Sequence, residues 1–346
     1  MKKATISFAI LAAAFLTACG AENEENNQPE NNAANNESEE NAAQGASEDL
    51  VTIKTTLFPL EDFAEKIGGD AVEVENIVPL GADAHTFEPS SNQVIEISEA
   101  DLFIYNGAGY EGFVEQIKDT ASSQDVEMLE GSEGIDLISY DHGHDDNNHG
   151  NDDNDDHGHS NNENDHGHED SQGEGDPHVW LDPERAGELA ENIKEALIDL
   201  RPEEEEQFTA NYEELVSELE DLHEQYSETL ADTNKDTIVV SHAGYGYWEE
   251  QYDIQQHGIA GLSPENEPSI QQLEETIQLM EDQDLNYVLF EQNIPANIAE
   301  TVRDEAGAEA LELHNLEALT EEDVENGEDY FSLMEKNLET LTTALQ

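Results

Sequence analysis

Four short segments carry side chains able to hold a metal ion. The first is Gly81-Ala-Asp-Ala-His85-Thr-Phe-Glu88-Pro89 and the second Asp176-Pro177-His178-Val-Trp180-Leu-Asp182-Pro183. The third is Ser241-His242-Ala-Gly-Tyr-Gly-Tyr-Trp248 and the fourth Leu313-His-Asn-Leu-Glu317-Ala-Leu. Taken singly, each histidine reads as an ordinary surface or hydrogen-bonded residue. Together, His85, His178 and His242 offer three imidazoles, and Glu317 or the neighbouring His314 offers a fourth donor. Three imidazoles and one carboxylate suit Zn²⁺ in a tetrahedron with bonds of ~2.0–2.2 Å. Trp180 and Trp248 each follow a candidate ligand closely; an indole donates only N–H, so they are expected to shape and dry the site. His223 and His257 read as structural.

A second group of histidines lies in a different kind of segment. Residues 141–176 contain seven His, thirteen Asp or Glu, seven Asn, and no large apolar side chain. Asp-His-Gly-His occurs there three times, giving His142, His144, His157, His159, His166 and His168, with His149 as the seventh. Such a stretch has nothing to bury and is expected to be an unstructured loop. His-x-His pairs on a mobile chain bind weakly, because each ion must order its own site. The expected role is a zinc-collecting or zinc-sensing loop.

The elements that must position the four segments alternate in type. Strand signals at Val51–Thr56, Ala71–Val78, Leu102–Tyr105 and Val126–Leu129 are separated by helix signals at Pro59–Ile67, Ser91–Ser98 and Gly112–Lys118. The pattern recurs in the last third. Strands are expected at Thr237–Ser241, Ile254–Ile259, Tyr287–Phe290 and Ala310–Leu313, and helices at Ser269–Glu281, Pro295–Ala306 and Asp329–Leu345. Alternation of this kind predicts parallel sheets covered by helices. Between the two sets the chain reads as helix only. Asp182-Pro183 has the form of a helix start, and Phe208, Tyr212, Leu215, Leu219, Leu222 and Tyr226 form one apolar stripe. The fold class is therefore α/β: two lobes, each a small parallel-type sheet flanked by helices, joined by a long rigid backbone helix. Ligands in such sheets bind beyond the carboxyl ends of strands, which puts a metal in the cleft between the lobes.

The expected divisions are an export signal (1–18), lipid-bearing Cys19 with an Asn/Glu-rich tether (19–49), an N-terminal lobe (50–140), the His/Asp-rich loop (141–176), the end of the N-terminal lobe (177–201), the linking helix (202–231) and a C-terminal lobe (232–346). Lys2 and Lys3 precede a short apolar run, and Leu16-Thr17-Ala18-Cys19 looks like a lipobox. Cys19 is the one cysteine of the 346 residues, so no intramolecular disulfide or thiolate cluster is possible. Asp and Glu number 85 against 11 Lys and Arg, a net charge of −74. That excludes nucleic acid, which needs a basic face, and adsorption to anionic lipid through basic patches. Outside the tails and the His-rich loop, nine basic residues face 63 acidic ones, a net of −54. The folded body is thus expected to have a halophilic acidic surface suited to saline surroundings.

With these segments in place, the sequence resembles the metal-specific solute-binding lipoproteins of ABC importers, and within them the zinc (ZnuA-like) branch. "AHTFEP" with His85, "DPHVWLDP" with His178, "SHAGYGYW" with His242 and "LHNLEALT" with Glu317 match the family's four ligand positions in order. "GLSPENEPS" at Gly261–Ser269 supports the match. The resemblance implies two lobes, a backbone helix and metal in the cleft. It implies no enzyme but a receptor, anchored through Cys19 at the extracellular face of the cytoplasmic membrane and acting as a monomer. That receptor would capture Zn²⁺ and pass it to an ABC permease driven by a cytoplasmic ATPase. The manganese and iron branch usually carries acidic residues at the third and fourth positions; His242 departs from that, although a manganese or iron receptor remains the alternative. A zinc hydrolase is the next reading, for which Glu88 is the only loose candidate base. A passive surface metal buffer would need only the His-rich loop.

Overall fold

The computed structural model describes residues 50–121, 124, 126–139, 175–264, 268–293 and 297–346. Cys19 and the seven histidines of the 141–176 segment lie outside the described residues. The N-terminal lobe opens with β1 (Val51–Thr55), α1 (Phe58–Gly68), β2 (Val72–Asn76), α2 (Ser91–Ser98), β3 (Leu102–Tyr105), α3 (Val114–Ala121) and β4 (Glu127–Glu130). Two long helices follow, α4 (Pro183–Leu200) and α5 (Glu205–Leu230). The C-terminal lobe contains β5 (Thr237–His242), α6 (Gly246–Tyr252), β6 (Gln255–Ala260), α7 (Ile270–Gln283), β7 (Tyr287–Phe290), α8 (Asn297–Ala306), β8 (Glu309–Glu312), α9 (Glu321–Asn326) and α10 (Tyr330–Ala344).

Each lobe has one four-stranded sheet, in the orders β2-β1-β3-β4 and β6-β5-β7-β8. Every pairing is parallel. The strand order reverses between β1 and β3 in the first sheet and between β5 and β7 in the second. At such a switch point the loops leaving neighbouring strands diverge and open a crevice.

Local sequence explains the helix starts. Asp182 caps α4 by accepting the Glu184 N–H, with Pro183 in the first turn, where no N–H is needed. Ser90 with Gln93 and Ser269 with Gln272 form capping boxes on α2 and α7. Helix α5 has 26 residues and so runs about 39 Å. Its buried residues, Phe208, Leu215, Leu219, Leu222, Tyr226 and Leu230, follow the expected stripe. Along its length α5 packs on α1 and α4 and then on α6 and α10, so one rigid element serves both lobes.

The lobes also share a core. A single apolar cluster includes Ile53, Phe63 and Phe103 from the first lobe, Leu189 and Leu219 from α4 and α5, and Val240, Trp248 and Leu341 from the second. Only the outer face of the second sheet keeps a separate small core, around Val239, Met280, Val288 and Val302. Cross-lobe hydrogen bonds reinforce this: Phe58 N–H donates to the Glu317 carbonyl (3.0 Å) and Gly81 N–H to the Leu319 carbonyl (2.8 Å).

The structure departs from the sequence reading in places. The strand expected over Ala71–Val78 is confined to Val72–Asn76, and the last strand of the second sheet sits one residue earlier than Ala310–Leu313. The helix expected over Gly112–Lys118 runs from Val114 to Ala121. Helices α6 and α9 are short and were not expected. The glycines of "SHAGYGYW" read as a loop, and the six residues of α9 are too few to show a period. Pro202 opens a 3₁₀ turn ahead of α5, not the α-helix itself. Pro295, expected to open a helix, lies outside the described residues. Among the described residues no helix is long and apolar enough to cross a membrane.

Candidate metal centre

The structure brings His85, His178, His242 and Glu317 together: one donor atom from each lies within 4.8 Å of the others. His242 is the last residue of β5, at the switch point of the second sheet. His178 leads a 3₁₀ turn just before α4. Glu317 follows β8, and His85 sits on the long loop from β2 to α2. The Nε2 atoms of His178 and His85 are 3.3 Å apart, as are those of His242 and His178. Glu317 Oε1 lies 3.0 Å from His85 Nε2 and 4.0 Å from His178 Nε2. A tetrahedron with bonds of ~2.0–2.1 Å has edges of about 3.3–3.4 Å, which the two Nε2–Nε2 separations of 3.3 Å match; all four donor atoms lie within 4.8 Å of one another.

The rings are held from behind. His178 Nδ1 is 2.7 Å from Asp176 Oδ1, which also accepts the His178 backbone N–H (3.0 Å). His242 Nδ1 bonds the buried carboxylate of Glu291. Each carboxylate takes the Nδ1 side of its ring, so the Nε2 of each ring is the atom turned toward the shared centre. Ring nitrogens facing one another at 3.3 Å call for a proton or a cation between them.

Electrostatics agree. Burial pushes Glu317 up, but His85, then His242 and His178, outweigh it and hold its carboxyl down at about 2. Burial pushes His242 down, but Glu291 first and then Glu317 outweigh it and bring the ring to about 8. His178 is lowered, chiefly by burial. Both Glu317 oxygens are buried without a regular hydrogen bond among the described residues, as is Asp176 Oδ2. A buried anion left this way is costly unless a cation completes it. Gly244 makes room at the same point: a Cβ there would fall 2.6 Å from His242 Nε2.

A family model described as zinc-uptake complex component A, periplasmic (ZnuA) matches residues 53–344. The chain belongs to the ZnuA family. It is 33 % identical over 341 residues to the zinc-binding lipoprotein AdcA of Streptococcus pneumoniae strain R6, covering 99 % of this chain and 60 % of that protein. It is 29 % identical over 297 residues to the high-affinity zinc uptake system protein ZnuA of Bacillus subtilis, covering 86 % and 88 % of the two chains. The crystal structure of the Zn(II)-bound ZnuA-like domain of S. pneumoniae AdcA superposes with a TM-score of 0.68 at 31 % identity, over 86 % of this chain and 99 % of that one.

Of the other residues singled out in the sequence, Trp180 packs against the centre and the rest face elsewhere. His314 turns from it: its Nδ1 accepts the Leu316 N–H (2.9 Å) and its Nε2 lies 3.3 Å from Asp323. Glu88 is exposed. His257 bonds Thr276 Oγ1 at 2.8 Å, and His223 Nδ1 lies 3.3 Å from the Tyr252 hydroxyl. Trp180 packs its ring beside His178 at 5.3 Å and donates to the Asn315 carbonyl (2.8 Å). Trp248 packs on Tyr245 and donates to the Leu181 carbonyl (2.7 Å), so it ties segments together without facing the ligands. The residues missed in the sequence are Asp176, Glu291, Gly244 and Tyr110. Asp176 stood inside a recognised motif, and Glu291 directly follows a strand end, the place where α/β sheets gather site residues.

Proposed function

We propose that this protein is an extracytoplasmic, high-affinity zinc receptor that captures Zn²⁺ through His85, His178, His242 and Glu317 and delivers it to an ABC permease powered by a cytoplasmic ATPase. The observation that carries the reading is the convergence of three imidazoles and one carboxylate, their donor atoms within 4.8 Å of one another, around a Glu317 buried without a regular hydrogen bond among the described residues. The nitrogen-rich donor set favours Zn²⁺ over Mn²⁺ or Fe²⁺. Four protein donors leave no open position for a reacting water, so the protein catalyses no reaction of its own. The relatives support the cargo by their names, zinc-binding lipoprotein and zinc uptake protein. The chain spans 60 % of the length of AdcA, so what that whole protein does is taken here only as support.

In this reading Cys19 carries the lipid, residues 19–49 tether the body to the extracellular face of the cytoplasmic membrane, and the protein acts as a monomer. Residues 141–176 collect zinc weakly through His142, His144, His149, His157, His159, His166 and His168. The test is metal analysis of protein purified without added metal, followed by Zn²⁺/Mn²⁺ competition on the chain with and without 141–176. One tight zinc equivalent retained without the segment supports the reading. A preference for Mn²⁺, or loss of the tight site with the segment, overturns it.

A further inference from the structure

Tyr110 touches the centre through His85. It follows β3 in a turn whose backbone is clamped by Glu111: that carboxylate accepts the Asn106 N–H (2.7 Å), the Gly107 N–H (3.0 Å) and the Thr56 hydroxyl (2.5 Å). The clamp holds Tyr110 against the ligands. Its ring lies 4.5 Å from His85 and meets Trp180 edge-on at 5.4 Å and His178 at 6.1 Å. The residue is 5 % exposed, and its hydroxyl is buried with no hydrogen-bond partner among the described residues. A buried phenol normally finds one.

The group beside it is Glu317. The Glu317 carboxylate acts on the Tyr110 phenol, whose hydroxyl is a donor. Glu317 has two oxygens. Oε1 is the one set against His85 and His178 Nε2. Oε2 is buried with no hydrogen-bond partner among the described residues. One orphan donor and one orphan acceptor thus flank the same carboxylate.

We propose that Tyr110 is a specificity-determining residue: its hydroxyl donates to Glu317 Oε2, limits Glu317 to one metal bond, and keeps the site four-coordinate. A carboxylate free to bind through both oxygens raises the coordination number, which suits larger, harder dications such as Mn²⁺. A carboxylate engaged on one side stays monodentate, which suits Zn²⁺. The inference rests on the reading of Glu317 as a ligand.

The test compares Tyr110→Phe with Glu317→Ala in the full chain. Tyr110→Phe keeps the ring against His85 and removes only the hydroxyl. Zinc affinity is expected to fall about tenfold, as for loss of an outer partner, with a smaller loss for Mn²⁺, so that the Zn/Mn ratio drops. With one equivalent of Co²⁺ bound, the intense visible absorption of a tetrahedral ion should weaken toward that of a higher-coordinate one. A purely packing role would leave both ratio and spectrum unchanged, and that result overturns the proposal. Glu317→Ala separates the two failures. If it abolishes tight zinc binding while Tyr110→Phe changes neither readout, the site stands and the role of Tyr110 falls. If Glu317→Ala leaves zinc affinity intact, both fall.

Discussion

The Nε2 atoms of His178 and His242 stand 3.3 Å apart, although one ring precedes α4 and the other ends β5. Each is turned toward the other by a carboxylate behind it, Asp176 and Glu291. The folded chain itself thus orients the two rings, and donors held in this way lower the ordering cost of binding an ion. Among the described residues no carboxylate bonds His85 Nδ1; Asp83 accepts its backbone N–H, at 2.9 Å.

Single removal of His85, His178 or His242 should each abolish tight zinc binding. The loss should exceed the ~10–100-fold typical of an outer partner, because three donors leave a desolvated dication incomplete. Competition against a zinc chelator, on chains lacking 141–176, is the measurement. A variant with unchanged affinity removes its residue from the site.

Gly244→Ala tests the space the ion would occupy. The added Cβ would sit 2.6 Å from His242 Nε2 and 2.9 Å from its Cε1, and the rings behind it are buried and pinned. Zinc affinity should fall by at least ~10-fold, and the clash with the pinned ring should also lower the metal-free melting temperature. Full affinity in this variant would show that His242 Nε2 does not face the ion.

Much of this was legible because the ligand segments carry unusual local composition and lie at strand ends, where a period-2 run stops and Gly, Pro and His begin. The strands Leu102–Tyr105 and Tyr287–Phe290 and the helix Ser91–Ser98 have the expected bounds. What was not legible depended on three-dimensional closeness. Nothing in the sequence around Glu291 says that β7 neighbours β5, so its pairing with His242 stayed hidden. Tyr110 looked like one more aromatic in a Gly-rich turn. The sequence also left Glu317 and His314 as alternatives, because it does not show that the backbone sends His314 toward Asp323.

Glu61 should make stability fall as pH rises. Burial, opposed by the Asn76 N–H it accepts, raises its pKa from 4.5 to about 7. In the unfolded chain the carboxyl loses its proton near 4.5, but in the folded chain it keeps it to about 7. Between these values the native state binds more protons, so stability declines with increasing pH. Glu61→Gln keeps the acceptor for Asn76 and removes the ionisation. The variant should melt higher than the parent at pH 8, by about 2–4 °C for each kcal/mol recovered, and the difference should vanish near pH 4.5. A difference independent of pH would show that this carboxyl does not hold its proton in the folded protein.

Salt and zinc should stabilise the protein by separable routes. The folded segments carry 63 acidic residues against nine basic ones, so most carboxylates have no cationic partner to offset them. Their mutual repulsion acts over a Debye length of roughly 30 Å at 0.01 M salt and roughly 3 Å at 1 M. The melting temperature of the metal-free protein should therefore climb as NaCl rises from low millimolar to molar. Zinc should add a further increment at every salt concentration, because a ligand that binds only the native state stabilises it by mass action. That increment depends on the convergent donors, so it should disappear in His242→Ala lacking 141–176, while the salt dependence persists. Melting temperatures across NaCl concentrations, with chelator and with zinc, resolve the two. A flat or falling salt curve would detach the acidic surface from any saline adaptation. A zinc increment that survives in the doubly altered protein would move the tight site away from His242.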